Sequence, residues 1–248
     1  MIRISSFNFV RDLEEAAAIP PGKRLINTLN AYSFTVVQRD KAFEAALRGG
    51  DYILPDGHGM IWGSRTVRMK NAPARRISGW DFFVLEMERL NQTGGKVLFF
   101  GSSERVLDLI RERCAKDYPK LTIDTYSPPY KPAFTEEDNA AMVRAINESD
   151  PDLLWIGMTA PKQEKWAWEH WSELEIHCHC GTIGAVFDFF AGTLKRAPVS
   201  WQKNGFEWLY RILREPRRML PRTISYPKFH FLVLREAFTN RFHGQAVE

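Results

Sequence analysis

Val97-Leu98-Phe99-Phe100, followed by Gly101-Ser102-Ser103-Glu104 and then Arg105 to Lys116, reads as strand, loop and helix. Four consecutive apolar residues suit a strand buried on both faces. Val106, Leu107, Leu109 and Ile110 then recur at the spacing of one helical face, behind a serine, Ser102 or Ser103, able to cap the helix. The same syntax returns downstream, where Leu153 to Ile156 runs into Gly157-Met158-Thr159-Ala160-Pro161-Lys162-Gln163-Glu164 and a helix through Trp171. Residues 138–148 form the helix before that strand. Strands alternating with helices predict an α/β fold with a parallel sheet covered on both faces. Ligands of such sheets bind at the carboxyl ends of the strands, so chemistry is expected in these loops.

With 248 residues and 44% hydrophobic content, the chain can bury one substantial core and a small appendage. After Ala191-Gly192 the syntax changes to Arg196-Ala197-Pro198 and a basic, aromatic tail, which places a boundary near residue 195: a core of residues 1–194 and an appendage of 195–248. From Lys195 onward 11 Lys and Arg face 4 Asp and Glu, a net of +7; the whole chain carries +4, so the first 194 residues carry −3. Such segregated charge needs an anionic partner: nucleic acid, an anionic membrane surface or a phosphorylated substrate. Pro198, Pro216, Pro221 and Pro227 are expected to break the tail into short helices. Phe206, Trp208, Leu209, Tyr210, Ile212 and Leu213 are too many apolar residues for a free arm, so at least the first half of the tail should dock. Three cysteines, Cys114, Cys178 and Cys180, are too few for a disulfide framework and point to the cytoplasm. Neither a signal-peptide pattern nor an apolar run approaching the ~20 residues of a membrane span is present.

Asp56-Gly57-His58-Gly59 follows the short apolar run Ile53-Leu54 and offers a carboxylate beside glycines, either a general base or an ordinary turn. Thr28 and Asn30 cluster a hydroxyl and an amide suited to sugar hydroxyls or phosphate, or to capping a helix. Pro161 at a helix start would aim Lys162 and free N–H groups at an anion. Arg75 and Arg76 can clamp a diphosphate or stand in solvent. His177-Cys178-His179-Cys180 contains metal-ligand types, but strand alternation sends the histidines to one face and the cysteines to the other. A buried strand is the better account. Neither a Gly-x-Gly-x-x-Gly nor a P-loop is present, and Gly181-Thr182-Ile183-Gly184 is too short a substitute.

In order along the chain, Thr28-Leu29-Asn30, Pro55 to Gly59, Arg76 to Asp81, Gly157 to Glu164, Phe187-Asp188 to Gly192, Arg196-Ala197-Pro198 and Glu207 to Arg222 resemble the WecG/TagA/CpsF glycosyltransferases. Leu29 stands where that family usually has Pro, and Thr159 where Gly is common. The resemblance implies a Rossmann-like core with a basic helical C-terminal appendage. It implies inverting transfer of N-acetylmannosamine, its uronic acid or glucose from a UDP-sugar to a polyprenyl-diphosphate-linked sugar, in surface polysaccharide or teichoic-acid-type synthesis. No cofactor or metal is implied. Asp56 matches the base, Thr28 and Asn30 match residues near the sugar nucleotide, Gln163 one near nucleotide and sugar, and Arg76 the loop arginine. Arg211, Arg214, Arg217, Arg218 and Arg222 would neutralise the leaving diphosphate in place of a divalent ion. The likeness extends substrate contact to Gly57, Gly101, Ser102, Tyr130, Lys162, Glu164, Gly184, Phe187 and Asp188. It also implies that the appendage closes over the site and attaches the enzyme to the inner face of the cell membrane.

Two other classes compete. An NAD-dependent sugar-nucleotide epimerase or dehydrogenase shares the α/β core but needs the missing glycine fingerprint. A non-catalytic module binding nucleic acid or membrane needs only the basic tail, and leaves Asp56, Gln163 and Arg76 without roles. The transferase reading makes sugar nucleotide, lipid-linked acceptor and anionic membrane the partners, not nucleic acid. Nothing in the residues fixes a homo-oligomer.

Overall fold

The computed structural model describes residues 1–198, 200–201 and 207–242; Phe206 and the side chains of Glu207 and Arg218 lie outside the described residues. Six strands form one parallel sheet: β1 (Arg24–Leu29), β2 (Tyr52–Pro55), β3 (Gly95–Gly101), β4 (Leu121–Tyr126), β5 (Leu153–Gly157) and β6 (His179–Thr182), in the spatial order β2-β1-β6-β5-β3-β4. The helices are α1 (Leu13–Ala17), α2 (Ala31–Val37), α3 (Lys41–Gly49), α4 (His58–Thr66), α5 (Gly79–Thr93), α6 (Glu104–Asp117), α7 (Glu136–Ser149), α8 (Lys162–Glu169), α9 (Val186–Ala191), α10 (Glu207–Arg214), α11 (Pro216–Thr223) and α12 (Tyr226–Phe242).

The predicted continuous apolar runs are the central strands, and their period of two builds both layers. Val97, Phe99, Leu153 and Trp155 face α5, α6 and α9, packing with Phe82, Phe83, Leu107, Phe187 and Phe190. Leu98, Phe100, Leu154 and Ile156 face α7 and α8, packing with Met142, Ile146 and Trp166. Ser78 with Asp81 and Thr135 with Asp138 form capping boxes at the starts of α5 and α7. Ser103 occupies the N-cap position of α6 without a side-chain cap bond, and Ser102 stands outside the helix at φ 61°.

The chain leaves β3 through α6 on one face and β5 through α8 on the other. It leaves β6 into α9 on the first face, whereas β1 leads through α2 to α3, which packs on α8. Such divergences open crevices at the carboxyl ends of strands.

Two expectations about the tail change. Pro221 lies inside α11 rather than breaking it. It removes one backbone bond, to the Arg217 carbonyl, from a helix that ends two residues later at Thr223. The deepest docking comes from the later part of the tail: Phe229, Leu232 and Val233 of α12 join Ile4, Phe7, Phe34 and Met60, whereas Trp208 and Leu213 of α10 are exposed. Glu236 is buried and accepts the N–H groups of Ile4 at 2.7 Å and Ser5 at 3.1 Å, tying α12 to the N-terminus. The His/Cys strand splits: Cys178 and Cys180 enter the α7/α8 layer, while His179 Nδ1 lies 3.0 Å from Glu86 of α5.

Candidate active site

A cavity of about 470 Å³ opens at the carboxyl ends of β1, β2, β5 and β6. That is within the range of small-molecule sites. Thr28 and Asn30, Asp56 to Gly59, Arg76, Met158, Thr159, Gln163 and Gly184 form its walls, and Trp208, Arg211, Met219, Arg222, Tyr226, Phe229 and His230 of the last three helices close it.

Backbone bonds set the walls. Asp56 N–H donates to the Leu29 carbonyl at 3.0 Å, and Ile77 N–H to the Pro55 carbonyl at 3.0 Å, so the loops carrying Asp56 and Arg76 are pinned to the strand ends. Gly57 follows at φ 95°, a conformation that glycine adopts without strain, and turns the chain into α4. Thr28 Oγ1 donates to the Thr182 carbonyl at 3.3 Å across β1 and β6. Asn30 does both jobs open to it in the sequence: it caps α2 by accepting the Ser33 N–H at 2.9 Å, and it lines the cavity.

Among the described residues lining the cavity, Asp56 is the one carboxylate, against Arg76, Arg196, Arg211 and Arg222. Arg222 lies over the Tyr32 ring at 5.1 Å, and Arg196 over the Trp80 ring at 5.1 Å with Asp81 at 3.8 Å. Arg211 Nε and Nη2 are buried without a hydrogen-bond acceptor among the described residues, Glu215 being 3.6 Å from Nε. A buried guanidinium edge without a hydrogen-bond acceptor suits an anionic ligand. Burial raises the Tyr226 hydroxyl above its ordinary pKa, Arg211 and Arg222 oppose this and Asp56 adds to it, which places α12 in electrostatic contact with Asp56.

Behind the wall, Gln163 Nε2 donates to Glu164 Oε1 at 2.8 Å, both residues being buried. Burial pushes the Glu164 carboxyl from 4.5 up to about 7, against the opposing bonds from Gln163 and its own N–H. Its pKa is higher folded than unfolded, so its contribution is full below pH 4.5 and is lost as pH rises through about 7. The loss amounts to about 3 kcal/mol, each pKa unit being worth about 1.4. Glu164→Gln is therefore expected to be more stable than the wild type at pH 8 and not at pH 4.5, in denaturant melts at the two values. An unchanged difference between the two would refute the buried ionisation.

The sequence-derived residues Thr28, Asn30, Asp56, Gly57, Arg76, Gln163, Gly184, Arg211 and Arg222 meet in one cavity. Others do not line it. A Cβ at Gly101 would stand 2.6 Å from the Gly157 carbonyl oxygen, so strand proximity explains that glycine. Ser102 accepts from Ser127 through its carbonyl, and Tyr130 is exposed. Lys162 Nζ turns to the Lys131 carbonyl at 2.5 Å and the Phe134 ring. Phe187 is core, Asp188 receives the Leu194 N–H on its carbonyl, Arg214 lies over Tyr210, and Arg217 is exposed. Tyr226, His230, Trp208 and Trp62 went unread in the sequence as site residues. His58, adjoining Asp56-Gly57, was legible by position alone.

A model of the glycosyl transferase WecG/TagA/CpsF family matches residues 2–243. The chain is 30% identical over 229 residues to a Bacillus spizizenii protein named N-acetylglucosaminyldiphosphoundecaprenol N-acetyl-beta-D-mannosaminyltransferase, covering 92% of this chain and 85% of that protein. A Bacillus subtilis protein of the same name is 29% identical over 86% of this chain and 79% of its own length. One from Staphylococcus aureus is 27% identical over 85% and 79%.

Proposed function

The chain belongs to the WecG/TagA/CpsF family of glycosyl transferases, and from that premise we propose that it moves N-acetylmannosamine, with inversion, from its UDP derivative to a polyprenyl-diphosphate-linked N-acetylglucosamine. The names of the relatives support this acceptor and this sugar. The observation that carries the reading is the cavity itself, whose described residues set one carboxylate among four arginines at the strand ends. Asp56 takes the proton from the attacking acceptor hydroxyl. Arg211, whose Nε and Nη2 have no hydrogen-bond acceptor among the described residues, and Arg222 and Arg76 hold the departing diphosphate. A divalent ion prefers several oxygen ligands, and a wall with one carboxylate among its described residues suits arginine charge better.

The test is a panel of UDP-sugars with a short-chain lipid-linked N-acetylglucosamine, followed by UDP release with and without chelator. Acceptor-dependent release from UDP-N-acetylmannosamine, unaffected by chelator, is expected. Release that requires only NAD, or none with any sugar nucleotide, would overturn the reading.

The same enzyme attaches peripherally to the inner face of the membrane through its last helices. No helix among the described residues is long and apolar enough to cross a bilayer. Yet α12 is apolar on both sides: Phe229, Leu232 and Val233 face the core, while Phe231, Leu234 and Phe238 are 62%, 55% and 63% exposed at helical spacing. Arg217, Arg235 and Arg241 lie on the same appendage, each worth about 1 kcal/mol beside an anionic surface. Replacing Phe231, Leu234 and Phe238 together by Ser is expected to cut binding to anionic vesicles at least tenfold, and 0.5 M salt to weaken the wild type. Equal sedimentation of both proteins with vesicles would refute the attachment.

A further inference from the structure

Gln163 reaches the cavity with an amide whose two ends differ: the oxygen accepts and the NH2 donates. Which end meets the ligand depends on what holds the other. Here Nε2 is held by Glu164 Oε1 at 2.8 Å, while Gln163 Oε1 and Glu164 Oε2, both buried, have no partner among the described residues. Gly184 adjoins the amide across the cavity wall: a Cβ there would be in ordinary contact with it, 3.5 Å from Gln163 Oε1 and 3.6 Å from Nε2.

The charged neighbours are committed elsewhere. Lys165 pairs with Asp40 at the start of α3 at 3.1 Å, Lys162 reaches the Lys131 carbonyl, and Asp138 of α7 pairs with Lys131. Met158, Thr159 and Gly184, on the loops beside α8, are uncharged. An ionised Glu164 only accepts, and so fixes the NH2 toward itself. A protonated Glu164 can donate to the amide oxygen and turn the amide over.

We propose that Glu164 is a positioning residue which, by accepting from the Gln163 amide nitrogen, presents the Gln163 oxygen to the cavity, so that the sugar group seated there must carry a hydrogen, a hydroxyl or an acetamido N–H. The inference rests on the sugar-transfer reading of the cavity. It assigns to a residue outside the cavity the hydrogen-bond polarity of one inside it.

The test uses the full-length protein and Glu164→Gln, which keeps the shape and cannot ionise. The side-chain amide resonances of Gln163, identified by their absence in Gln163→Leu, are expected to titrate near pH 7 in the wild type and to be flat in Glu164→Gln. The wild-type KM for UDP-N-acetylmannosamine is expected to rise about 5-fold from pH 8 to pH 6, with kcat changing less. In Glu164→Gln, whose amide both donates and accepts, KM should show no such step between the two pH values. An amide that does not titrate overturns the control by Glu164. A titrating amide with a wild-type KM that is the same at pH 8 and pH 6 overturns the choice of ligand group. Absence of turnover with every UDP-sugar defeats the transfer reading alone, and the Gln163 resonances then decide the positioning claim.

Discussion

Asp56→Asn is expected to lower kcat by about 10²- to 10⁴-fold, the contribution of a positioned general base, while leaving the fold and UDP affinity near wild type. That corresponds to about 3–5 kcal/mol of barrier. The effect is large because Asp56 is the one carboxylate among the described residues of the cavity wall, whose other charged side chains, His58 and His230 aside, are arginines. Asn keeps the size of Asp and leaves the backbone bond to Leu29 in place, so loss of the base is separated from collapse of the loop. Rapid-mixing measurement of UDP release with saturating acceptor reads the chemical step. A loss below tenfold would assign the base elsewhere.

Phe229→Ala is expected to cost about 3–5 kcal/mol of stability, the usual penalty for emptying an aromatic core site. Phe229 is fully buried, meets Phe34 edge-on at 5.7 Å and lies 6.3 Å from Trp62. Gly59 and Gly63 of α4 admit it, with Cβ positions only 3.4 and 3.2 Å from its ring. Its loss also loosens the helix that carries Tyr226 and His230 into the cavity, so activity should fall beside stability. Leu213→Ala, at an exposed position, should change stability by less than about 0.5 kcal/mol. Denaturant melts of the two variants compare them directly; similar midpoints would contradict the docking of α12.

The sheet was legible because its signals are local. Val97 to Phe100 and Leu153 to Ile156 are continuous apolar runs, and a strand buried between two helical layers needs nothing else. Asp56, Gln163 and Gly184 were findable for the same reason: they sit just after strands, where the topology opens a crevice. Gly101 and Ser102 obey that syntax too, but the crevice between β3 and β5 is not the one lined by the cavity residues. At Gly101 a close neighbour backbone, not a ligand, sets the residue. Lys162 was read toward an anion, yet an aromatic ring and a carbonyl draw it away.

The closing helices were the least legible part. Glu236 meets Ile4 across 232 residues of sequence, and no periodicity encodes such a pairing. With apolar residues on both sides of α12, the pattern alone did not say which side docks. Tyr226 carries no motif at all; it becomes a site residue only because Phe229 and Val233 seat its helix beside Asp56.

Inverting sugar transfer is proposed for the cavity that Asp56 shares with the C-terminal helices. Its most direct test is the anomeric configuration of the lipid-linked disaccharide made from an α-linked UDP-N-acetylmannosamine, read from the C1–H1 coupling by NMR. A β-linkage is expected, formed by the wild type and not detectably by Asp56→Asn on the same timescale. An α-linked product, or a β-linked one formed equally fast without the Asp56 carboxylate, would contradict it.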